Sequence, residues 1–85
     1  MVNRMNEGFR LYKKGNVEIE LFDDDLMIFN VMGSRKEKYQ VSMNENMWMC
    51  DCDDYQFRSE REPGSFICKH LWAAFFEVME MKNEG

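Results

Sequence analysis

The sequence predicts an α+β domain: an N-terminal helix, a small antiparallel β-meander of three to four strands, and a C-terminal helix. Three observations lead there. Apolar residues near the start recur at helical spacing; the middle alternates in short runs separated by turn residues; and the last third carries a dense apolar helical pattern. With 85 residues the chain makes one domain, and a chain this size buries only about 60% of the surface it exposes when unfolded. A hydrophobic content of 45%, with aromatic residues making up 14% of the chain, is too high for a disordered segment, so a thin core is expected.

Val2, Met5, Phe9 and Tyr12 share one face of a helix expected over 2–14, and Gly15-Asn16 supplies the stop. Gly8 inside that helix costs about 1 kcal/mol of propensity. Val17, Ile19 and Leu21 alternate with Glu18, Glu20 and Phe22, the pattern of a first strand, which Asp23-Asp24-Asp25 ends. Leu26 to Met32 is apolar on both faces apart from Asn30, which predicts a central strand covered on both sides. Gly33-Ser34-Arg35-Lys36 turns the chain into a third strand at Tyr39, Val41 and Met43. Asn44-Glu45-Asn46 turns it again into a short fourth strand over 47–52. Short connections favour a meander. A short helix over 55–61, capped by Asp53 or Asp54 and stopped by Pro63-Gly64, precedes the final helix over 71–82. The segments therefore divide as 1–16, 17–46 and 47–82 within a single domain.

On the wheel of the final helix, Leu71, Trp72, Ala74, Phe75, Phe76, Val78, Met79 and Met81 cover well over half the circumference. Only Ala73, Glu77 and Glu80 define a polar edge. A stripe facing one small sheet need be only somewhat wider than ~100°. Either the first helix covers the excess, or Trp72, Phe76 and Met79 form part of a partner surface. Nine methionines suit such a pliant surface.

All the soft metal ligands of the chain fall in one stretch: Cys50-Asp51-Cys52, a fifteen-residue interval, then Cys68-Lys69-His70. Three thiolates and one imidazole make a complete tetrahedral set for Zn²⁺, with no ligand spare. In a strand, Cys50 and Cys52 point to one face. In a helix, positions two apart diverge by about 200°, so Cys68 is expected at a loop-to-helix junction and His70 in the first turn. The alternative is three buried thiols acting as small hydrophobes, but the acidic flanks of Cys50 and Cys52 are poor company for core thiols. Four protein ligands leave no position for water or substrate, so one structural Zn²⁺ is expected rather than a catalytic one. The only histidine is thereby used, no Gly-rich phosphate loop is present, and no enzymatic constellation remains. Asp23-Asp24-Asp25 reads as a solvated turn rather than a cation site.

This pattern, followed directly by Leu71 and an apolar helix, resembles the SWIM-type zinc finger over about residues 38–80, in a small free-standing form. Where the family often has a proline or another small residue after the second cysteine, this chain has Asp53, followed by Asp54-Tyr55. The resemblance implies Cys50, Cys52, Cys68 and His70 as ligands. It also implies a non-catalytic binding module, since SWIM-type domains serve as DNA-binding and protein-interaction modules. A small copy is most similar to those in recombination mediators that associate with RecA-like recombinase paralogues, which makes a recombinase-type protein the expected partner.

Charge bears on the alternative. The net charge of −5 opposes nonspecific attraction to nucleic acid. Two basic clusters run against it, Arg10, Lys13 and Lys14 in the first segment and Arg35, Lys36 and Lys38 in a later turn, with Tyr12 or Tyr39 available to stack on DNA bases. Homodimerisation through the last helix could accompany either role. No apolar run approaches the ~20 residues of a membrane span. An odd cysteine count without a secretory leader points to a reducing, intracellular setting, cytoplasmic or, in a eukaryote, nuclear.

Overall fold

The computed structural model describes residues 3–33, 35–44, 47–61 and 66–84. Helix α1 (Arg4–Lys13) leads into four strands, β1 (Val17–Phe22), β2 (Met27–Met32), β3 (Lys38–Met43) and β4 (Trp48–Cys50). A short helix α2 (Asp53–Ser59) and a long one, α3 (Lys69–Glu84), follow. The strands form one antiparallel sheet in the order β1-β2-β3-β4, so the expected α+β meander is the fold. No described helix is long and apolar enough to cross a membrane.

α1 begins where Asn3 caps it, its Oδ1 accepting from the Asn6 N–H at 3.1 Å. Val2, expected inside the helix, lies outside the described residues. Gly15 closes the helix at φ +74°, with the Asn16 N–H donating to the Leu11 carbonyl. The interior glycine has a separate reason. An ideal Cβ on Gly8 would stand 2.4 Å from Trp72 Cβ, 2.7 Å from the Lys69 carbonyl oxygen and 2.9 Å from the Ala73 nitrogen. α1 and α3 thus approach closely because position 8 has no side chain. Ala73, expected on the polar edge of α3, is buried beneath this crossing.

α3 packs its other side on the sheet. Phe29, Val31, Val41 and Met43 join Leu71, Ala74, Cys50 and Cys68 in one buried cluster, with Leu11 of α1 at its margin. The expectation that β2 is covered on both faces is not met. Phe29 and Val31 are fully buried, whereas Ile28, Asn30 and Met32, pointing the opposite way, are only half-buried. The helices occupy one side of the sheet, and a 6-residue run of apolar residues reads the same whether one or two layers cover it.

Several boundaries differ for local reasons. β4 ends at Cys50 rather than 52, because Cys52 leaves the strand to cap α2. Its sulfur, not Asp53 or Asp54, accepts the Tyr55 N–H, at 3.3 Å, so α2 starts two residues early. The Pro63-Gly64 stop lies outside the described residues, as do Ser34 and Glu45-Asn46 of the two expected turns. α3 starts at Lys69, also two residues early. In β1 a bulge shifts the register between Ile19 and Leu21: Ile19 opposes Phe29, but Leu21 opposes Ile28. The bulge moves Leu21 off the core face that its alternation with Val17 and Ile19 implied.

Candidate metal centre

Three elements bring the ligands together. Cys50 is the last residue of β4, opposite the buried Val41. Cys52 is the cap of α2, Cys68 immediately precedes α3, and His70 sits in its first turn. The Cys68 carbonyl accepts the Trp72 N–H at 3.0 Å, which anchors the start of the helix under its own ligand. All four side chains are buried, and their ligand atoms lie within 4.8 Å of one another.

The set fits one zinc ion. Zn–S and Zn–N bonds of ~2.3 and ~2.0 Å around a tetrahedral ion imply S···N separations of about 3.5 Å. His70 Nδ1 stands 3.9 Å from Cys50 Sγ and 4.0 Å from Cys68 Sγ. Nδ1 therefore faces the sulfurs. Nε2 is buried on the far side of the ring without a hydrogen-bond partner among the described residues. It looks toward Gly33, where an ideal Cβ would sit 3.6 Å away, and the ring lies against Tyr39 at a centroid distance of 4.3 Å.

Electrostatics point to the same occupant. Among themselves the thiols ionise unequally. Hydrogen bonds from Cys50, then Cys68, with His70 and the Tyr55 N–H, hold the Cys52 thiol far below its ordinary range. Cys50 is driven far above that range by its bonds with Cys52 and Cys68, and by burial. Cys68 is pushed up to about 12; its bond with Cys50 works downward, but that with Cys52, together with burial, outweighs it. Crowding three thiolates is unfavourable unless a cation sits among them, and a dication allows all three to ligate.

A brace surrounds the cluster. Trp48 Nε1 donates to the Phe66 carbonyl, and the Tyr55 hydroxyl donates to the Trp48 carbonyl, both at 3.0 Å. These bonds tie β4, α2 and the approach to α3 together. Arg4 of α1 reaches across to Asp54 with a 2.9 Å bond from Nε, and its guanidinium lies 4.9 Å from the centre of the Phe66 ring. The Asp54 hydrogen bond raises the Arg4 pKa. Neither Arg4 nor Gly8 stood out as a site residue from the sequence, because each acts on a partner distant in the chain.

The other candidate residues are placed as follows. Trp72 and Phe76 are half-buried against α1: Phe76 meets Phe9 edge-on at 5.3 Å, and Trp72 lies under the Gly8 crossing. Met79 is 51% exposed. Arg10, Lys13 and Lys14 line the outside of α1, and Arg35, Lys36 and Lys38 are exposed around β3. Arg10 and Lys14 share a depression of ≈ 170 Å³ with Lys69, which the sequence clusters omitted, and with Glu7. Lys69 sits between two ligands in sequence, and its neighbourhood with α1 follows only from the helix crossing. Lys38 pairs with Glu18 at 3.9 Å. Tyr12 donates to Glu80, and Tyr39 to Glu37 while stacking on His70, so both aromatics are already engaged.

No curated protein and no solved structure matches the chain. The family model of the SWIM zinc finger does, over residues 39–78. That span takes in all but the first residue of β3, then β4, α2, all four clustered ligands and most of α3, and leaves α1, β1 and β2 outside it. With the family's ligand order and a buried donor set that fits one zinc ion, this chain carries a SWIM zinc finger.

Proposed function

We propose that this zinc finger is a non-catalytic interaction module, an adaptor that binds another protein. The observation that carries the reading is the closed donor set. Three cysteines and His70 fill a tetrahedral shell, which leaves the ion a structural part rather than a reagent. Among the described residues no second group of His, Cys, Asp or Glu side chains could hold a metal ion, while several large apolar side chains are exposed on a chain of acidic net charge. A RecA-like recombinase-type protein, implied by the resemblance to recombination mediators, is the first partner to test. The test is affinity capture by the zinc-loaded chain from extract of its own cells, with and without nuclease. Partners that survive nuclease support the adaptor; an eluate empty of protein rejects it.

A second reading, contact with nucleic-acid phosphates, draws support from the convergence of Arg10, Lys14 and Lys69 at the start of α3. It requires binding that weakens steeply with salt. Absence of binding to duplex or single-stranded DNA at low salt eliminates it.

A further inference from the structure

The face of the sheet away from the helices is not a polar face. The strand register sets Leu21, Ile28, Ser42 and Met49 in one row across all four strands. Leu26 and Met47 each stand two residues before a member of that row, and so share its side. Leu21, Leu26, Met47 and Met49 are exposed by 41%, 38%, 60% and 54%. Between Leu26, Ser42, Met47 and Met49 lies a depression of ≈ 130 Å³. The β1 bulge contributes directly, since without the register shift Leu21 would point to the helix side with Ile19. An unbroken strand would have hidden this leucine, and the bulge displays it.

The rim nearest the patch is acidic. Asp23, Asp24 and Asp25 stand exposed in the β1–β2 turn at one end of the patch, and Glu18 and Glu20 flank it along β1. Lys38 pairs with Glu18 at the far end of the face and offsets its charge, while Glu20 accepts only from the neutral Gln40 amide and keeps its own. Four strands spaced ~4.8 Å apart give a face about 14 Å across, wide enough for one helix ~10 Å in diameter. Methionines at 47 and 49 let that face adapt to the ridge laid on it.

We infer that the open sheet face, centred on Leu21, Ile28 and Met49, docks a basic amphipathic helix of a partner protein. The inference rests on the adaptor reading above and deepens it by naming the surface and the chemistry it selects. The partner's apolar stripe covers the leucines and methionines, and its flanking lysines and arginines meet Asp23–Asp25 at the turn and Glu20 along β1. A second copy of this chain is the poorer occupant, because two such faces would set carboxylates against carboxylates.

The test titrates the zinc-loaded full chain with an eighteen-residue helical peptide carrying leucines at i, i+3, i+4 and i+7 and lysines on both flanks. A counterpart with glutamate at every lysine serves as the control. The expected result is at least tenfold tighter binding of the lysine peptide, weakened by salt, with amide shifts concentrated in β1, β2 and β4. Met49→Lys and Leu21→Lys should each weaken it tenfold or more at unchanged zinc content and melting temperature. Equal binding of both peptides, binding of neither, or shifts on the α1–α3 side would overturn the assignment. So would self-association in sedimentation that Met49→Lys abolishes, which gives the face to a second copy. Capture from extract separates this from the underlying reading: nuclease-resistant partners that Met49→Lys still retains sink the sheet face but leave the adaptor standing. An empty wild-type eluate sinks both.

Discussion

Replacing Gly8 with alanine sets two physical effects of opposite sign against each other. Helix propensity alone makes the change stabilising by about 0.8–1 kcal/mol. The helix crossing opposes it. Carbon atoms pack at about 3.5–4.0 Å, and the new methyl would lie 2.4 Å from Trp72 Cβ. Two of its three nearest neighbours, the Lys69 oxygen and the Ala73 nitrogen, are backbone atoms of α3 and cannot rotate away. α1 must therefore retreat by roughly 1 Å, and overpacking of this kind costs about 1–3 kcal/mol, occasionally more. The retreat also loosens Phe9 from Phe76 and draws Arg4 away from Asp54. The net expectation is a loss of about 1–2 kcal/mol, with the melting temperature falling roughly 4–8 °C for each kcal/mol in a domain of this size. Urea denaturation of the zinc-loaded protein, followed by circular dichroism, gives the difference. Asn6→Ala, at an exposed position of the same helix, is the control and should stay within about 0.5 kcal/mol of wild type. A Gly8→Ala midpoint equal to or above wild type would refute the crossing.

Other outcomes follow from the same structure. Structural zinc contributes an apparent ~10–16 kcal/mol, against ~5–15 kcal/mol for a whole domain. Chelation should therefore unfold at least 47–82, seen as lost helical signal and a shift in Trp48 and Trp72 fluorescence; Cys52→Ala with full metal content and a cooperative melt would contradict this. Zinc should also leave in acid, since thiolates and neutral imidazole are the ligating forms and protons compete for them; metal content that does not fall with pH would count against the site. Nitrogen NMR of the loaded protein should find His70 Nδ1 on the metal and the proton on Nε2, and the reverse would contradict the ring orientation. Arg4→Met, which keeps the apolar stem but ends the pair with the half-exposed Asp54, should cost about 0.2–1 kcal/mol. Lys36 holds φ 67°, a conformation that costs a side-chain-bearing residue roughly 1–2 kcal/mol, so Lys36→Gly should raise the melting temperature. A fall would show that its side chain contributes more than its backbone loses.

Most of the meander was readable because its signals are local. Val17–Phe22 and Lys38–Met43 alternate, and turn residues separate the runs, so strand pairing follows from short connections. The ligands were readable for a different reason: three cysteines and one histidine allow only one complete set. The rest depends on contacts that local patterns do not encode. Gly8 looked like a weakness in α1 until Trp72 and Ala73, more than sixty positions later, came to lie over it. The apolar run of β2 carries no sign of how many layers will cover it, so the open face was invisible. The β1 bulge re-aims Leu21 without any glycine to announce it. Cys52 could be recognised as a ligand from its spacing, but its departure from β4 could not, because aspartates beside it looked like better caps.

That last residue holds two obligations on one atom. The Cys52 sulfur belongs to the metal set and also receives the Tyr55 amide that begins α2. Aspartate or serine could inherit the second duty but would be a poorer soft donor; a buried hydrophobe could inherit neither. A substitution at position 52 thus removes a metal donor and the cap of a short helix together, and Asp54 of that helix is the residue to which Arg4, in a segment outside the family signature, is paired.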